Sequence, residues 1–154
     1  MATRVQLLGP GDGRVLGAVA DDVFDDPIRP DMAEEFLKDP RHHLAVAVAN
    51  GLVVGFASAV RHVHPDKPHE LWINEVGVAP TFQNRGLAKA LLGLLFDVGR
   101  DHECAEAWVL TDRSNTAAKA LYASVGGVEM DDDIVGFEFD LKRAATEPGP
   151  RQRR

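Results

Sequence analysis

Val76-Gly77-Val78-Ala79-Pro80-Thr81-Phe82-Gln83-Asn84-Arg85-Gly86-Leu87-Ala88 is the stretch that decides the fold. It passes from an apolar strand-like run, through a proline that stops it, into the start of an amphipathic helix. Over Gly86–Arg100, Leu87, Leu91, Leu94, Leu95 and Val98 form one apolar stripe, the helical period of a segment with a buried face. Between strand and helix, Gln83-Asn84-Arg85-Gly86-Leu87-Ala88 is a turn with small residues. Such a turn leaves backbone N–H groups uncovered at the positive end of the helix dipole, an anion site whose usual guest is phosphate. The chain is therefore expected to bind a ligand carrying a pyrophosphate.

Upstream, Val5–Leu8 reads as a short strand and Gly9-Pro10-Gly11-Asp12-Gly13 as a break. Arg14–Phe24 has helix-period apolar positions, ended by Asp25-Asp26-Pro27. A second short helix is expected from Pro30 to Leu37, with Asp31 as its cap and Glu34 completing a capping box. His43–Ala49 and Leu52–His62 flank Asn50-Gly51, a strong hairpin signal because both turn residues must accept positive φ. Leu71–Val78 is the next strand. Downstream, Ala105–Leu110 is a strand, Ser114–Val125 a helix ended by Gly126-Gly127, and the alternating Ile134–Leu141 a final strand. The order is α+β, a hairpin-rich first half followed by a βαβ-like second half.

The 154 residues suit one domain, here 1–141, followed by a basic tail over 142–154 that reads as disordered. Net charge is −7, yet the tail carries five basic residues and one acid, so the body is more acidic than the whole. An acidic body argues against nucleic acid as a partner and would steer a cationic substrate inward. No apolar run approaches the ~20 residues of a membrane span, and no signal-peptide pattern opens the chain, so a cytoplasmic location is expected. Cys104 is the single cysteine, which excludes an internal disulfide and reads as a buried thiol rather than a nucleophile. His62 and His64 have a strand-like spacing with His69 nearby, but no acid adjoins them convincingly in the sequence, and a metal is not expected.

The segment 76–88 resembles the acetyl-CoA motif of the GCN5-related N-acetyltransferase (GNAT) superfamily: Gln or Arg, two residues, Gly, one residue, then Gly or Ala, directly after a strand. Here those positions are Gln83, Gly86 and Ala88. A second match follows at the family's spacing in Asn115, Ala117-Ala118, Leu121-Tyr122 and Gly126-Gly127; the family usually has an aromatic residue where Gly127 stands. Competing phosphate motifs fail, since Arg85-Gly86-Leu87 is not a P-loop and only one of the three dinucleotide-fingerprint glycines is present. More diffusely, Ile73–Val78, Val109–Asp112 and Phe137–Leu141 are similar to aminoglycoside 3-N-acetyltransferases within the superfamily. The resemblance implies a GNAT fold: one central mixed sheet, antiparallel in its N-terminal half, with a parallel pair at the acetyl-CoA site and about four flanking helices. It also implies acetyl-CoA as co-substrate, no metal, and often a homodimer.

The same resemblance implies where the chemistry sits. The pantetheine arm would pair with backbone at Val76, Gly77 and Val78, and the pyrophosphate would meet the N–H groups of Gln83, Asn84, Arg85, Gly86, Leu87 and Ala88. Arg85 can add charge or point to solvent. Glu75, in an apolar strand neighbourhood, is the candidate general base, since partial desolvation raises a carboxyl pKa toward the working range. Tyr122, the only tyrosine, is the candidate general acid for the departing thiolate. Asn115 can cap its helix, hydrogen-bond the pantetheine, or both. The oxyanion is expected at the N–H of Val76. Asp25 and Asp26, with Asp21 and Asp22 nearby, and Asp112 and Asp132 are candidates for binding a small cationic amine; each cluster alone also reads as solvated surface. Direct acetyl transfer to an aminoglycoside amine in a ternary complex is the expected reaction, the resistance chemistry of that class. Another small amine, a protein amine, or a non-catalytic acyl-CoA module are the alternatives.

Overall fold

The computed structural model describes residues 2–130 and 133–142. Five strands form one sheet in chain order: β1 (Arg4–Leu8), β2 (His42–Ala49), β3 (Leu52–His62), β4 (Glu70–Val78) and β5 (Glu106–Val109). The first three pairings are antiparallel and β4–β5 is parallel. Three α-helices accompany the sheet: α1 (Pro30–Lys38), α2 (Leu87–Asp101) and α3 (Thr116–Ser124). The expected mixed sheet with its parallel pair is present.

The β2–β3 hairpin follows from its turn. Asn50 and Gly51 adopt φ of 52° and 78°, the left-handed pair that matches the strands' twist. Ala45, Val46, Ala47, Val53, Val54 and Ala57 are fully buried, because both faces of these central strands are covered. That coverage replaces alternation with a continuous apolar run. One cover is α2, whose Leu91, Leu92 and Leu95 are buried. On this side a Cβ at Gly55 would lie 3.5 Å from Leu91 Cδ1. The opposite cover is an irregular segment, residues 18–29: Val23 is buried, and Phe24 stacks on Phe56 of β3 at 3.8 Å between ring centroids.

That segment corrects the helix expected over Arg14–Phe24. Only Gly13–Gly17 is helical, as a 3-10 turn. Beyond it the backbone bonds to the sheet instead, with Ala20 N–H donating to Val53 O and Val53 N–H to Ala18 O. The apolar residues keep their burial, but ladder bonds win over helical ones. At α1 the expected cap is also corrected. The helix starts at Pro30, whose fixed φ suits the first position. Asp31 therefore lies inside the first turn, paired with Arg29 at 3.0 Å, and Glu34 pairs with Lys38 rather than reaching back.

The expected last strand does not form. Among the described residues no strand pairs with 133–142, and Val135, Phe137, Phe139 and Leu141 are 70–93% exposed. Alternation makes a strand only where a ladder is offered, and this segment meets none. Asp132 and the tail from 143 onward lie outside the described residues.

Candidate functional site

The site is built where β4 leaves β5. Their pairing runs from Glu70↔Glu106 to Ile73↔Val109 and stops. At that point β4 carries a bulge: Ala59 faces Ile73 and Ser58 faces Glu75, so Asn74 is an extra residue. A bulge bends its strand and sharpens its twist. Beyond it, Asn74–Val78 keep β3 on one side, and among the described residues no strand adjoins the other. Val76, Gly77 and Val78 thus present an edge that no strand pairs with among the described residues, the kind an extended ligand can pair with, with the Val78 carbonyl taken by the Gln83 side chain.

The chain then turns into α2. Asn84 and Gly86 both have positive φ, 59° and 77°. Gly86 occupies the N-cap position and no side chain caps the helix. Gln83 N–H donates to Pro80 O at 3.4 Å and is not free for a ligand, while Ala90 N–H donates to Gly86 O; between them lie the first N–H groups of α2, which a helix leaves without an intrahelical acceptor. Helix α3 differs: the Asn115 side chain accepts from Ala118 N–H at 3.0 Å. Of the two roles open to Asn115, capping is realised. Two side chains brace the turn. Gln83 Nε2 donates to Val78 O at 3.0 Å, and Arg85 donates to Thr81 O at 2.9 Å with its guanidinium over the Phe82 ring. Arg85 therefore folds back onto the turn.

On β4, Glu75 and Gly77 share a face. A Cβ at Gly77 would overlap the Val23 carbonyl oxygen and sit 2.9 Å from Phe56 Cε1. The 18–29 segment is thus seated directly on Gly77, which brings Asp25 to Glu75. The Glu75 carboxyl is pushed above the usual carboxylate range, first by burial and then by the Asp25 charge. The residue is nonetheless open to solvent on its outer side; the strand floor and the loop desolvate it from within. Ser58, the one buried polar residue among those described, lies across from it.

Tyr122 is half-buried against the core on α3, and burial raises its hydroxyl pKa. Its helix ends in a tight reversal: Gly126 has φ 94°, and Gly127 N–H donates to Tyr122 O at 2.9 Å. A Cβ at Gly127 would lie 2.8 Å from that same oxygen. The glycine in place of the family's aromatic residue is thereby explained by backbone approach. Asp26 and Asp112 are exposed, and no bond ties either to Glu75. The half-buried Cys104 thiol has its pKa raised by burial and stays unreactive. A cleft of about 860 Å³ between the 3-10 turn and α1 is lined by none of the predicted site residues.

An open strand edge leading into an uncapped helix is the motif read from the sequence, now assembled in space. The model of the acetyltransferase (GNAT) family matches residues 15–127. The chain belongs to the GNAT family. Among curated proteins it is 35% identical over 104 residues to the N-alpha-acetyltransferase RimI of Mycobacterium tuberculosis, covering 68% of this chain and 63% of that protein. It is 31% identical over 95 residues to an aminoglycoside N(6')-acetyltransferase type 1 of Salmonella typhimurium, covering 58% of this chain and 66% of that one. The chain thus spans slightly less than two thirds of these relatives. Its GNAT fold is also that of the aminoglycoside acetyltransferase AAC(6')-Iy solved with a bisubstrate analogue of CoA and acetylneamine. There the TM-score is 0.72 at 21% identity, over 91% of this chain and 99% of that one. The resemblance to 3-N-acetyltransferases finds no support here: the aminoglycoside enzymes named act at the 6' position.

The sequence reading missed two parts of this site. The bulge at Asn74 has no sequence signal of its own. Ser58 had one, a lone polar residue inside the apolar run 53–60.

Proposed function

We propose that this GNAT protein transfers an acetyl group from acetyl-CoA to a small, positively charged amine, with an aminoglycoside as the leading acceptor. The observation that carries this reading is the free edge at Val76–Val78 running into the uncapped N-terminus of α2. These groups fit the cofactor. The edge suits the amides of a pantetheine arm, and the N–H groups around Gly86 suit a pyrophosphate. Acetyl-CoA supplies the activated thioester; the chain's residues do the rest.

Glu75 takes the proton that an incoming ammonium must lose, directly or through water, and its raised pKa matches that task. The N–H of Val76 receives the oxyanion as the new C–N bond forms. Tyr122 returns a proton to the sulfur as the C–S bond breaks. Asp25, whose charge acts on Glu75, attracts the cationic acceptor, with Asp26 next to it in the chain; Asp112 and Asp132 are proposed for the same role from the sequence alone, Asp132 lying outside the described residues. The acidic body supports the choice of a cationic amine, and the Salmonella relative supports the aminoglycoside. A second reading, acetylation of a protein α-amine, is favoured by the 35% identity to RimI.

The test is release of free CoA thiol from acetyl-CoA. The panel contains aminoglycosides with and without a 6'-amine, polyamines, and a short peptide with a free N-terminus. Turnover with the 6'-amino compounds is expected. Turnover with the peptide alone would move the assignment to the second reading. CoA binding without release in the presence of any amine would refute catalysis and leave an acyl-CoA-binding module.

A further inference from the structure

The far end of the β3–β4 hairpin holds a cluster that the acetyltransferase reading does not use. His62, the last residue of β3, is the register partner of Glu70, the first residue of β4. His64, two residues into the connecting loop, folds back so that its ring stacks on that of His62 at 4.3 Å between centroids. One ligand atom from each of His62, His64 and Glu70 lies within 4.8 Å of the other two. The acid that the sequence did not place beside the two histidines is therefore supplied across the strand pair.

The nitrogen at the centre is unusual. His64 Nε2 is buried without a hydrogen-bond partner. It lies 3.2 Å from Glu70 Oε2, within ion-pair distance. A buried imidazole nitrogen beside a carboxylate, with a second imidazole stacked alongside, is the donor set of a borderline divalent cation. The Glu70 backbone is itself fixed at the start of the β4–β5 pairing, opposite Glu106, where Trp108 stacks on Trp72 at 5.1 Å; a fixed backbone orients a ligating carboxylate.

We propose that His62, His64 and Glu70 bind one Zn²⁺, with the remaining position open to water. Ligand atoms around tetrahedral zinc stand about 3.3 Å apart, so closing the site takes a movement of roughly 1–1.5 Å. The exposed His62 ring is free to make it. The site lies five residues along β4 from Glu75, roughly 15 Å at strand spacing. It therefore lies away from acetyl transfer and acts by tying the loop 63–69 to the sheet.

The experiment uses the full chain with any affinity tag removed, titrated calorimetrically with ZnCl₂ near neutral pH and checked for stoichiometry by equilibrium dialysis. One Zn²⁺ per chain is expected, with a rise in Tm on binding. His64→Ala and Glu70→Gln should each weaken binding at least tenfold. His102→Ala, which removes the tilted His43–His102 ring pair, should leave it unchanged. Co²⁺ in place of Zn²⁺ should give the intense visible bands of a four-coordinate centre in the wild type and lose them in His64→Ala. Circular dichroism of the metal-free variants guards against misfolding, and the exposed His62→Gln provides a second deletion of a ligand. The absence of saturable one-to-one binding would overturn the assignment. So would an affinity that His64→Ala and His62→Gln leave intact.

Discussion

Replacing Gly77 by alanine tests the contact on which the site depends. The added Cβ would overlap the Val23 carbonyl oxygen and stand 2.9 Å from Phe56 Cε1, against ordinary carbon contacts of about 3.5–4.0 Å. One obstacle is backbone and the other a ring already stacked on Phe24, so neither yields cheaply. Overpacking of this kind costs about 1–3 kcal/mol, and the upper end applies where backbone must move. Gly77 is not in the left-handed region, so alanine adds no backbone strain and recovers about 0.5–1 kcal/mol through the unfolded chain. The net loss is about 2 kcal/mol, a fall in Tm of roughly 4–8 °C for a domain of this size. Gly93→Ala is the internal control. It sits inside α2 with open space around it, and should gain about 0.5–1 kcal/mol. Thermal unfolding followed by circular dichroism reads both signs. A second readout is the Glu75 titration by carboxyl NMR. Displacing Val23 carries Asp25 away, so the raised pKa should relax toward the ordinary value. A Gly77→Ala protein that melts with the wild type, and in which Glu75 titrates unchanged, would refute the seating of residues 18–29 on β4.

Other perturbations follow from the same structure. Glu75→Gln should lower turnover most at pH values where the acceptor amine is still protonated. An unchanged pH–rate profile would remove Glu75 as the base. The same variant has a stability signature: because folding raises the Glu75 pKa, its contribution is favourable at low pH and is lost as pH rises through the folded value. Glu75→Gln should therefore be the more stable protein at neutral pH, with the difference vanishing below the usual carboxylate range. Tyr122→Phe should reduce kcat with little change in CoA affinity; equal kcat would make Tyr122 a packing residue. His43 is held down to about 4, by burial first and then by the charges of His102, Arg61 and His42. The neutral ring is thus built into the fold, and stability should fall as pH drops from about 6.5 toward 4. Denaturant unfolding across that range should show a slope that His43→Gln flattens. Glu103 takes φ 55° at the end of α2, where Cys104 N–H bonds Gly99 O at 2.9 Å. Glu103→Gly should add about 0.5 kcal/mol by removing left-handed strain, read as a small rise in Tm.

Local chemistry was legible wherever one residue type answers one local demand. Asn50-Gly51 announced the hairpin because few other pairs accept two positive φ values. Gly126-Gly127 announced the end of α3 because Gly126 takes a positive φ and a Cβ at Gly127 would crowd the Tyr122 carbonyl. The stripe on α2 announced its buried face. Patterns that depend on a distant partner misled. Arg14–Phe24 has a helical period, yet its carbonyl and amide groups near residue 18 bond to Val53. Val135, Phe137, Phe139 and Leu141 alternate like a strand, yet no ladder among the described residues receives them. Asp31 has the spacing of a cap, yet Pro30 starts the helix before it.

By itself the sequence determined the family, because a strand, a glycine turn and an amphipathic helix in succession are set by local backbone geometry alone, the geometry on which the proposed CoA site rests. Only the tertiary structure decided what surrounds that site. The extra residue at Asn74 falls where β4 leaves β5, a matter of how β4 registers with β3 on one side and β5 on the other. The absence of a Cβ at Gly77 seats Val23 and so brings Asp25 to Glu75, raising the pKa of the proposed base. The pairing of His62 with Glu70 gives two histidines their carboxylate. Each of these is a contact across the sheet. A linear reading sees only neighbours along the chain, whereas desolvation and charge act through space.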